Sequence, residues 1–244
     1  MNLLLFEKKE CEAGMLTVSD RRAEHLIAVL GVKPGDRVRV GQVNGLVGHG
    51  TVVAVTKHTV RLQVELMQAL GQGMKVDLVL ALPRPIMLQR VLKQATVMGV
   101  RRFFLIRSSK VEKSFFHSPV LKKEKIKALV REGMEQAGDS RMPTVEIHTQ
   151  FKPFVQDVLP TLEGVRLLAH PRAEQTFATM INPWLGDRRM ILAIGPEGGW
   201  NDFEIDLLRE QDFQVFTMGE RILHVDTAVV ALLAQVQLLY DLAR

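Results

Sequence analysis

Three glycines and a proline fall within Ile194-Gly195-Pro196-Glu197-Gly198-Gly199-Trp200, directly after the apolar run Met190-Ile191-Leu192-Ala193. A strand that runs into such a stretch has to end in a sharp turn with bare backbone. Asn201-Asp202 then has the composition of a helix start. Strand, glycine-rich turn and helix in that order leave free N–H groups at the carboxyl end of a sheet, where open α/β folds bind ligands. A plain strand–turn–helix joint has the same local pattern, so the rest of the chain has to decide between the two.

From Lys75 onward the pattern is α/β. Val76 to Leu82 is apolar except for Asp77, as in a strand covered on both faces. Pro83-Arg84-Pro85 stops it, and Pro85 suits the first turn of a helix. Met87, Val91, Ala95 and Met98 share one face of that helix, Gly99 closes it, and residues 101–106 form the next strand. This β-α-β order predicts an α/β domain with a mainly parallel sheet. Further strands are expected at 144–147, 165–169, 189–194 and 213–217. Helices are expected after Pro119, over 151–159, over 202–210 with Phe203, Leu207 and Leu208 facing inward, and from about 225 to 242. The last is apolar nearly all round its first half, which fits the centre of a core or an oligomer interface. Three strand ends carry loops of unusual make-up: Ala169-His170-Pro171-Arg172, Gly195 to Gly199, and Met218 to Thr227. If their strands are neighbours, the loops converge on one pocket.

Residues 1–71 follow another pattern. Lys33-Pro34-Gly35-Asp36 is a turn with Pro at its second position, and Asn44-Gly45 is a strong hairpin signal. Short alternating segments at 37–40, 50–56 and 59–66, with a short helical stretch over 23–30, predict a small β-barrel. Gly71-Gln72-Gly73 has the composition of a linker. Two domains are therefore expected, 1–71 and 74–244.

Charge separates along the chain. Between Arg84 and Arg131 there are 13 lysines and arginines against two acids, Glu112 and Glu124, so the remainder of a chain of net charge +5 is acidic on balance. A basic block of this kind fits a polyanion, with nucleic acid first in line; a set of solvated helix faces has the same composition. Arg84, Arg90, Lys110, Lys113, Lys123, Lys127 and Arg131 are the candidate nucleic-acid contacts. Lys123, Lys127 and Arg131 recur at four-residue spacing as a stripe, and Lys110 and Lys113 lie beside Phe115 and Phe116. Basic residues interleaved with aromatics suit phosphate contact with base stacking, and two buried phenylalanines pinning a loop fit equally well. One cysteine, Cys11, excludes an internal disulfide and fits a reducing cytosol. The opening Leu3-Leu4-Leu5-Phe6 run is too short for a signal-peptide core, and no apolar run approaches the roughly 20 residues of a membrane span. A cytoplasmic protein without membrane partner is expected. The histidines show no metal-ligand spacing, so no metal is expected.

Two segments together carry a family resemblance. Ile194-Gly195-Pro196-Glu197-Gly198-Gly199, followed by Met218-Gly219-Glu220-Arg221-Ile222-Leu223-His224-Val225-Asp226-Thr227-Ala228, resembles the motif pair of the RsmE family of the SPOUT superfamily. That family pattern is a hydrophobic-Gly-Pro-Glu-Gly-Gly loop, then Leu-Gly-x-Arg-Ile-Leu-Arg-x-Glu-Thr-Ala. Glu135-Gln136-Ala137-Gly138 to Pro143, His170-Pro171-Arg172-Ala173 and the stretch from His25 to Asp36 extend the resemblance over nearly the whole chain. Here His224 stands for the pattern's second Arg, Asp226 for its Glu, and Asp139 at an upstream Arg, with Arg141 two residues on.

The resemblance implies S-adenosyl-L-methionine-dependent methylation of N3 of a uridine in small-subunit (16S) ribosomal RNA. It also implies a PUA-like β-barrel, a catalytic domain with a C-terminal trefoil knot, and a homodimer. A diverged RNA-binding or ribosome-assembly protein, or a methyltransferase for another RNA position, are the alternatives. Cofactor contacts are expected from Ala169, His170, Ile194, Gly195, Pro196, Glu197, Gly198, Gly199, Met218, Gly219, Ile222, Leu223 and Thr227. Removing the N3 proton calls for a base, or for a cation that stabilises the uracil anion. The candidates are His224, Asp226, Arg141 and Arg221. A helix-start residue is the plainer role for His224, capping for Asp226, and loop ordering for Glu197. If the basic stripe contacts RNA, charge reversal at Lys123 and Lys127 should weaken binding and flatten its salt dependence by about 0.7–0.9 of a log unit per lost phosphate contact. Filter binding across a salt series reads this, and an unchanged slope would assign the stripe to solvent.

Overall fold

The computed structural model describes residues 2–71, 73–176, 179 and 188–242. The chain forms two compact units: Met1–Gln72 with Val130–Met142, and Gly73–Leu129 with Pro143–Arg244.

In the first unit the strands are β1 (Leu4–Phe6), β2 (Cys11–Glu12), β3 (Met15–Val18), β4 (Arg37–Gln42), β5 (Val47–Val55) and β6 (Val60–Gln68), with a helical turn α1 (Arg21–Glu24). They form one sheet in the order β1-β4-β5-β6-β3-β2, parallel only between β1 and β4. Two register shifts in β5, at Val47/Gly48 and Val52/Ala54, let the sheet curl. Leu4, Phe6, Leu16, Val40, Val52 and Leu62, from five of its strands, accordingly meet in a single core with Ala23 and Leu26. Local turn chemistry sets the pairing. Asp36 N–H reaches Lys33 C=O at 3.0 Å with Gly35 at φ +97°, and Asn44 takes φ +56° in the β4–β5 hairpin. Period-two alternation in β1 sends Leu4 and Phe6 to that core, while Leu3 and Leu5 join a second cluster with Val47 and Met134.

Met134 belongs to the returning segment, the latter half of helix α3 (Lys123–Ala137) and the turn after it. The segment is stitched to this unit by backbone and side-chain bonds. Asn2 and Leu3 N–H both donate to Glu135 C=O at 3.1 Å, Ser140 Oγ donates to Gly45 C=O at 2.7 Å, and Met142 N–H donates to Asn44 Oδ1 at 2.8 Å. The buried Glu135 carboxylate receives Arg21 at 2.9 Å and Arg131 at 3.5 Å.

The second unit is a six-stranded, wholly parallel sheet. Its strands are β7 (Val76–Ala81), β8 (Arg102–Ile106), β9 (Thr144–His148), β10 (Val165–Ala169), β11 (Met190–Ile194) and β12 (Gln214–Phe216), in the order β12-β10-β11-β7-β8-β9. Between them run α2 (Pro85–Val97), the first part of α3, the short α4 (Phe151–Pro153) with the wider and tighter turns that extend it to Thr161, and α5 (Asp202–Arg209). α6 (Val225–Leu242) follows the last strand. Every residue of β7 and β11 is buried, as continuous apolar central strands require. By length and mean hydropathy, 1.4 over 18 residues, α6 could cross a membrane. Here Val229, Leu232, Leu233 and Val236 are at most 1% exposed. Phe203, expected to face inward, is half exposed under the Lys152 ammonium; Ile205, Leu207 and Leu208 supply the buried face of α5.

Asp77, the polar interruption of β7, is fully buried yet paired from both sides. Arg102 at the start of β8 and Arg189 just before β11, the latter at 2.7 Å, each bind one of its oxygens. A buried carboxylate stripped of its partners costs several kcal/mol. Substituting both Arg102 and Arg189 with Met should therefore destabilise the protein by about 3–5 kcal/mol, read as a fall in the urea midpoint. A loss under 1 kcal/mol would show that the pairing is incidental.

Candidate active site

The strands whose loops the sequence singles out, β12, β10 and β11, are consecutive in the sheet. Parallel pairing puts all three carboxyl ends on one edge. Their loops wall a pocket of about 1310 Å³ within the second unit. Ala169, His170, Ile194, Gly195, Pro196, Glu197, Gly198, Gly199, Met218, Ile222 and Leu223 line it, as do Lys110 and Arg221. Gly219, His224, Asp226 and Thr227 are outside that lining.

The glycines have separate reasons to be there. A Cβ on Gly195 would stand 3.0 Å from Trp200 Nε1 and 3.2 Å from both adjoining ring carbons, so the bare Cα sits over the pyrrole face of a buried indole. Gly199 takes φ +69° and closes the turn by donating its N–H to Pro196 C=O at 2.8 Å. The Gly198 carbonyl accepts Lys110 Nζ at 2.8 Å, and Glu197 Oε1 accepts the Arg84 N–H at 3.1 Å. Glu197 thereby ties the glycine loop to the chain after β7. Asn201 and Glu204 form a capping box at the start of α5. Glu204 is absent from the candidates above, and its position three residues after Asn201 is the signal in the sequence that marks it.

The other two loops are built from short-range bonds. His170 N–H donates to Phe216 C=O at 2.8 Å, tying the ends of β10 and β12. Its Nδ1 accepts the Arg172 N–H at 3.2 Å. Burial, followed by the cations of Arg172, Lys110 and Arg209 and opposed by Asp202, pushes the His170 pKa below its ordinary 6.5. Thr217 Oγ1 donates to Gly219 C=O at 2.9 Å, and Gly219 holds φ +130°, a region open to glycine. Three residues on, Ile222 is 84% exposed although it lines the pocket.

The four candidate catalytic side chains have different partners. Arg221 is exposed at the pocket wall. His224 precedes α6 and its carbonyl accepts Ala228 N–H at 2.8 Å, a helix-start role. Asp226 pairs with Arg90 of α2 at 3.3 Å, joining the two helices. Arg141 belongs to the first unit, where it forks onto Asp139 and donates to Gly71 C=O at 2.7 Å. The basic stripe also divides. Arg84, Lys110, Lys113, Lys123 and Lys127 are exposed. Arg131 is turned inward, with its guanidinium 2.5 Å from Leu5 C=O. Phe115 and Phe116 are half-buried.

The family model described as an RNA methyltransferase domain matches residues 71–237. A ribosomal RNA small subunit methyltransferase E of Treponema pallidum (strain Nichols) is 28% identical over 242 residues, covering 97% of this chain and 90% of its own. The same-named protein of Synechocystis sp. is 29% identical over 239 residues, covering 93% and 74%. Among solved structures, a ribosomal RNA small subunit methyltransferase E from Neisseria gonorrhoeae, bound to S-adenosyl methionine, superposes with a TM-score of 0.80 at 20% identity over 98% of each chain. That likeness carries the fold.

Because its pKa is depressed, His170 is neutral in the folded protein at pH 7, and the stability tied to that neutral ring is present above pH 6.5. As the pH falls through the lowered value the ring gains a proton, the Arg172 N–H loses its acceptor, and that stability is lost. Melting temperature should be flat from pH 7 to 8 and decline below pH 6, with a shallower decline in His170→Gln. An identical profile in the variant would remove His170 from the acid response.

Proposed function

This chain belongs to the RNA methyltransferase domain family, and from that premise we propose that it methylates N3 of a uridine in small-subunit (16S) ribosomal RNA, with S-adenosyl-L-methionine as donor. The observation that carries the proposal is the convergence of the three C-terminal loops on one pocket, in a chain whose relatives are named ribosomal RNA small subunit methyltransferase E. The fit to the cofactor rests on the cradle itself. Gly195 leaves bare backbone over the Trp200 ring, Trp200 Nε1 has no hydrogen-bond partner among the described residues, and Ile194, Met218 and Leu223 offer apolar walls.

When bound, S-adenosylmethionine would supply an electrophilic methyl group on a sulfonium centre that leaves as a neutral thioether. The chain has to align the two reactants and exclude water. The backbone of Gly195 to Gly199 would hold the polar edges of the donor, and Ile222, standing out at the pocket wall, would cover its apolar face. Uridine N3 must also lose a proton. Arg221 is the catalytic candidate that lines the pocket, and its cation would favour the uracil anion. With Asp226 engaged by Arg90 and His224 outside the lining, those two residues order the start of α6 in this reading.

Of the basic block, the exposed Lys113, Lys123 and Lys127 would meet the phosphates, and the curled sheet of the first unit would act as a PUA-like RNA holder. A knotted C-terminal region, a homodimer using the exposed Leu238 and Leu242 of α6, and a cytoplasmic location complete the reading. Two measurements test it. Calorimetry should detect one S-adenosylmethionine site per chain, and absence of heat would favour a non-catalytic RNA-binding protein. Deleting the gene should remove 3-methyluridine from small-subunit ribosomal RNA in nucleoside mass spectrometry. Loss of a different modified nucleoside would redirect the position.

A further inference from the structure

A closed set of hydrogen bonds links the chain after β8 to the glycine loop after β11, and its centre is a buried carboxylate outside the pocket lining. Glu204, on the first turn of α5, is 2% exposed. Its Oε1 accepts the Ser109 N–H at 2.6 Å, across 95 positions of sequence, and its Oε2 accepts the Asn201 N–H at 3.1 Å. Asn201 closes the ring. Its Oδ1 takes the Glu204 N–H at 2.8 Å, and its Nδ2 donates to Ser109 Oγ at 2.9 Å. The residue after Ser109 is Lys110, whose ammonium donates to Gly198 C=O at 2.8 Å and whose stem lies against the bare face of Gly198.

We infer that Glu204 is a positioning residue for the pocket, acting through Ser109 and Lys110 to hold the glycine loop in its binding conformation. The capping box alone would account for one of its oxygens, the one on the Asn201 N–H. The second oxygen does something a cap does not need: it fixes the backbone that carries Lys110. Both oxygens of a buried carboxylate are then satisfied by backbone donors, which holds them more rigidly than water or a mobile side chain would. Lys110, drawn by sequence composition into the basic block, is by this account an arm of the cofactor loop. The loop has to be set before a ligand arrives, because a turn with three glycines loses much conformational entropy on ordering.

The inference rests on the cofactor reading of the pocket, so its test has one arm that needs no cofactor. Glu204→Gln keeps the shape but turns an NH2 toward one of two N–H donors; Lys110→Met keeps the stem and removes the donor. Hydrogen–deuterium exchange of the full-length protein should rise in both variants across the peptide spanning 195–200 and stay unchanged in β7 and β8. By calorimetry, S-adenosylmethionine binding should weaken about 10- to 100-fold in each single variant, a charge-assisted bond being lost. The double variant should be little weaker than the worse single one, since both act along one path. Lys110→Arg, which restores a donor, should recover most of the affinity.

A folded Lys110→Met or Glu204→Gln protein with wild-type affinity and unchanged exchange at 195–200 would overturn the inference. So would fully additive losses with no local change in exchange. If Glu204→Gln fails to fold, the Lys110→Met and Lys110→Arg pair decides alone. If the wild-type protein binds no S-adenosylmethionine, the function reading fails, and the exchange arm still decides whether Glu204 and Lys110 hold the loop.

Discussion

Parallel hydrogen bonding between β10 and its two neighbours, β11 and β12, is the constraint on which the site depends. Val165–Ala169 lies in register with Met190–Ile194 on one side, and Leu167–Ala169 with Gln214–Phe216 on the other. Parallel strands leave a sheet on the same edge, so three loops separated by tens of residues are delivered side by side. The backbone bond from His170 to Phe216 continues this order past the strand ends. β7 and β11 at the sheet's centre are fully buried, and the loops rather than the strands carry the variation that chemistry needs.

The buried charges serve this frame in different ways. Asp77 is shared between Arg102 and Arg189, so a carboxylate in mid-sheet ties β7 to the chain entering β8 and β11. Glu204 accepts hydrogen bonds from two backbone amides and has no ion pair among the described residues. Ion pairs between side chains tolerate small movements, whereas a carboxylate held by two backbone N–H groups fixes the backbone itself. The second arrangement is the one found beside the glycine loop.

Local chemistry made much of the architecture legible. Pro85 opens α2, Gly99 at φ +92° follows its end, Asn44 turns the β4–β5 hairpin, and the apolar run of β7 marks a covered strand. Each of these signals acts over a few residues, so it survives without knowledge of the fold. The four-residue spacing of Lys123, Lys127 and Arg131 is also real, yet α3 is divided between the two units and Arg131 is drawn to Leu5 and Glu135. Helical periodicity says which residues share a face; it does not say what that face meets. The same reason turns Phe203 outward while Leu207 and Leu208 are buried.

By itself the sequence determined the order of strands and helices from β7 onward, the glycine turn at Gly195 to Gly199, and the three loops worth watching, because propensity, turn geometry and periodicity are local properties; the short strands β1, β2 and β3 carry too few residues for periodicity to show. Only the tertiary structure decided which side chains those loops bring together. Arg90 reaches Asp226 across 136 positions, and Ser109 reaches Glu204 across 95. Asp226 is thereby tied to a neighbouring helix, and Glu204, a capping residue by its sequence spacing, holds the chain after β8 as well. Such partners are set by packing and register between distant segments. No local rule encodes which acid meets which donor until the sheet has aligned their strands.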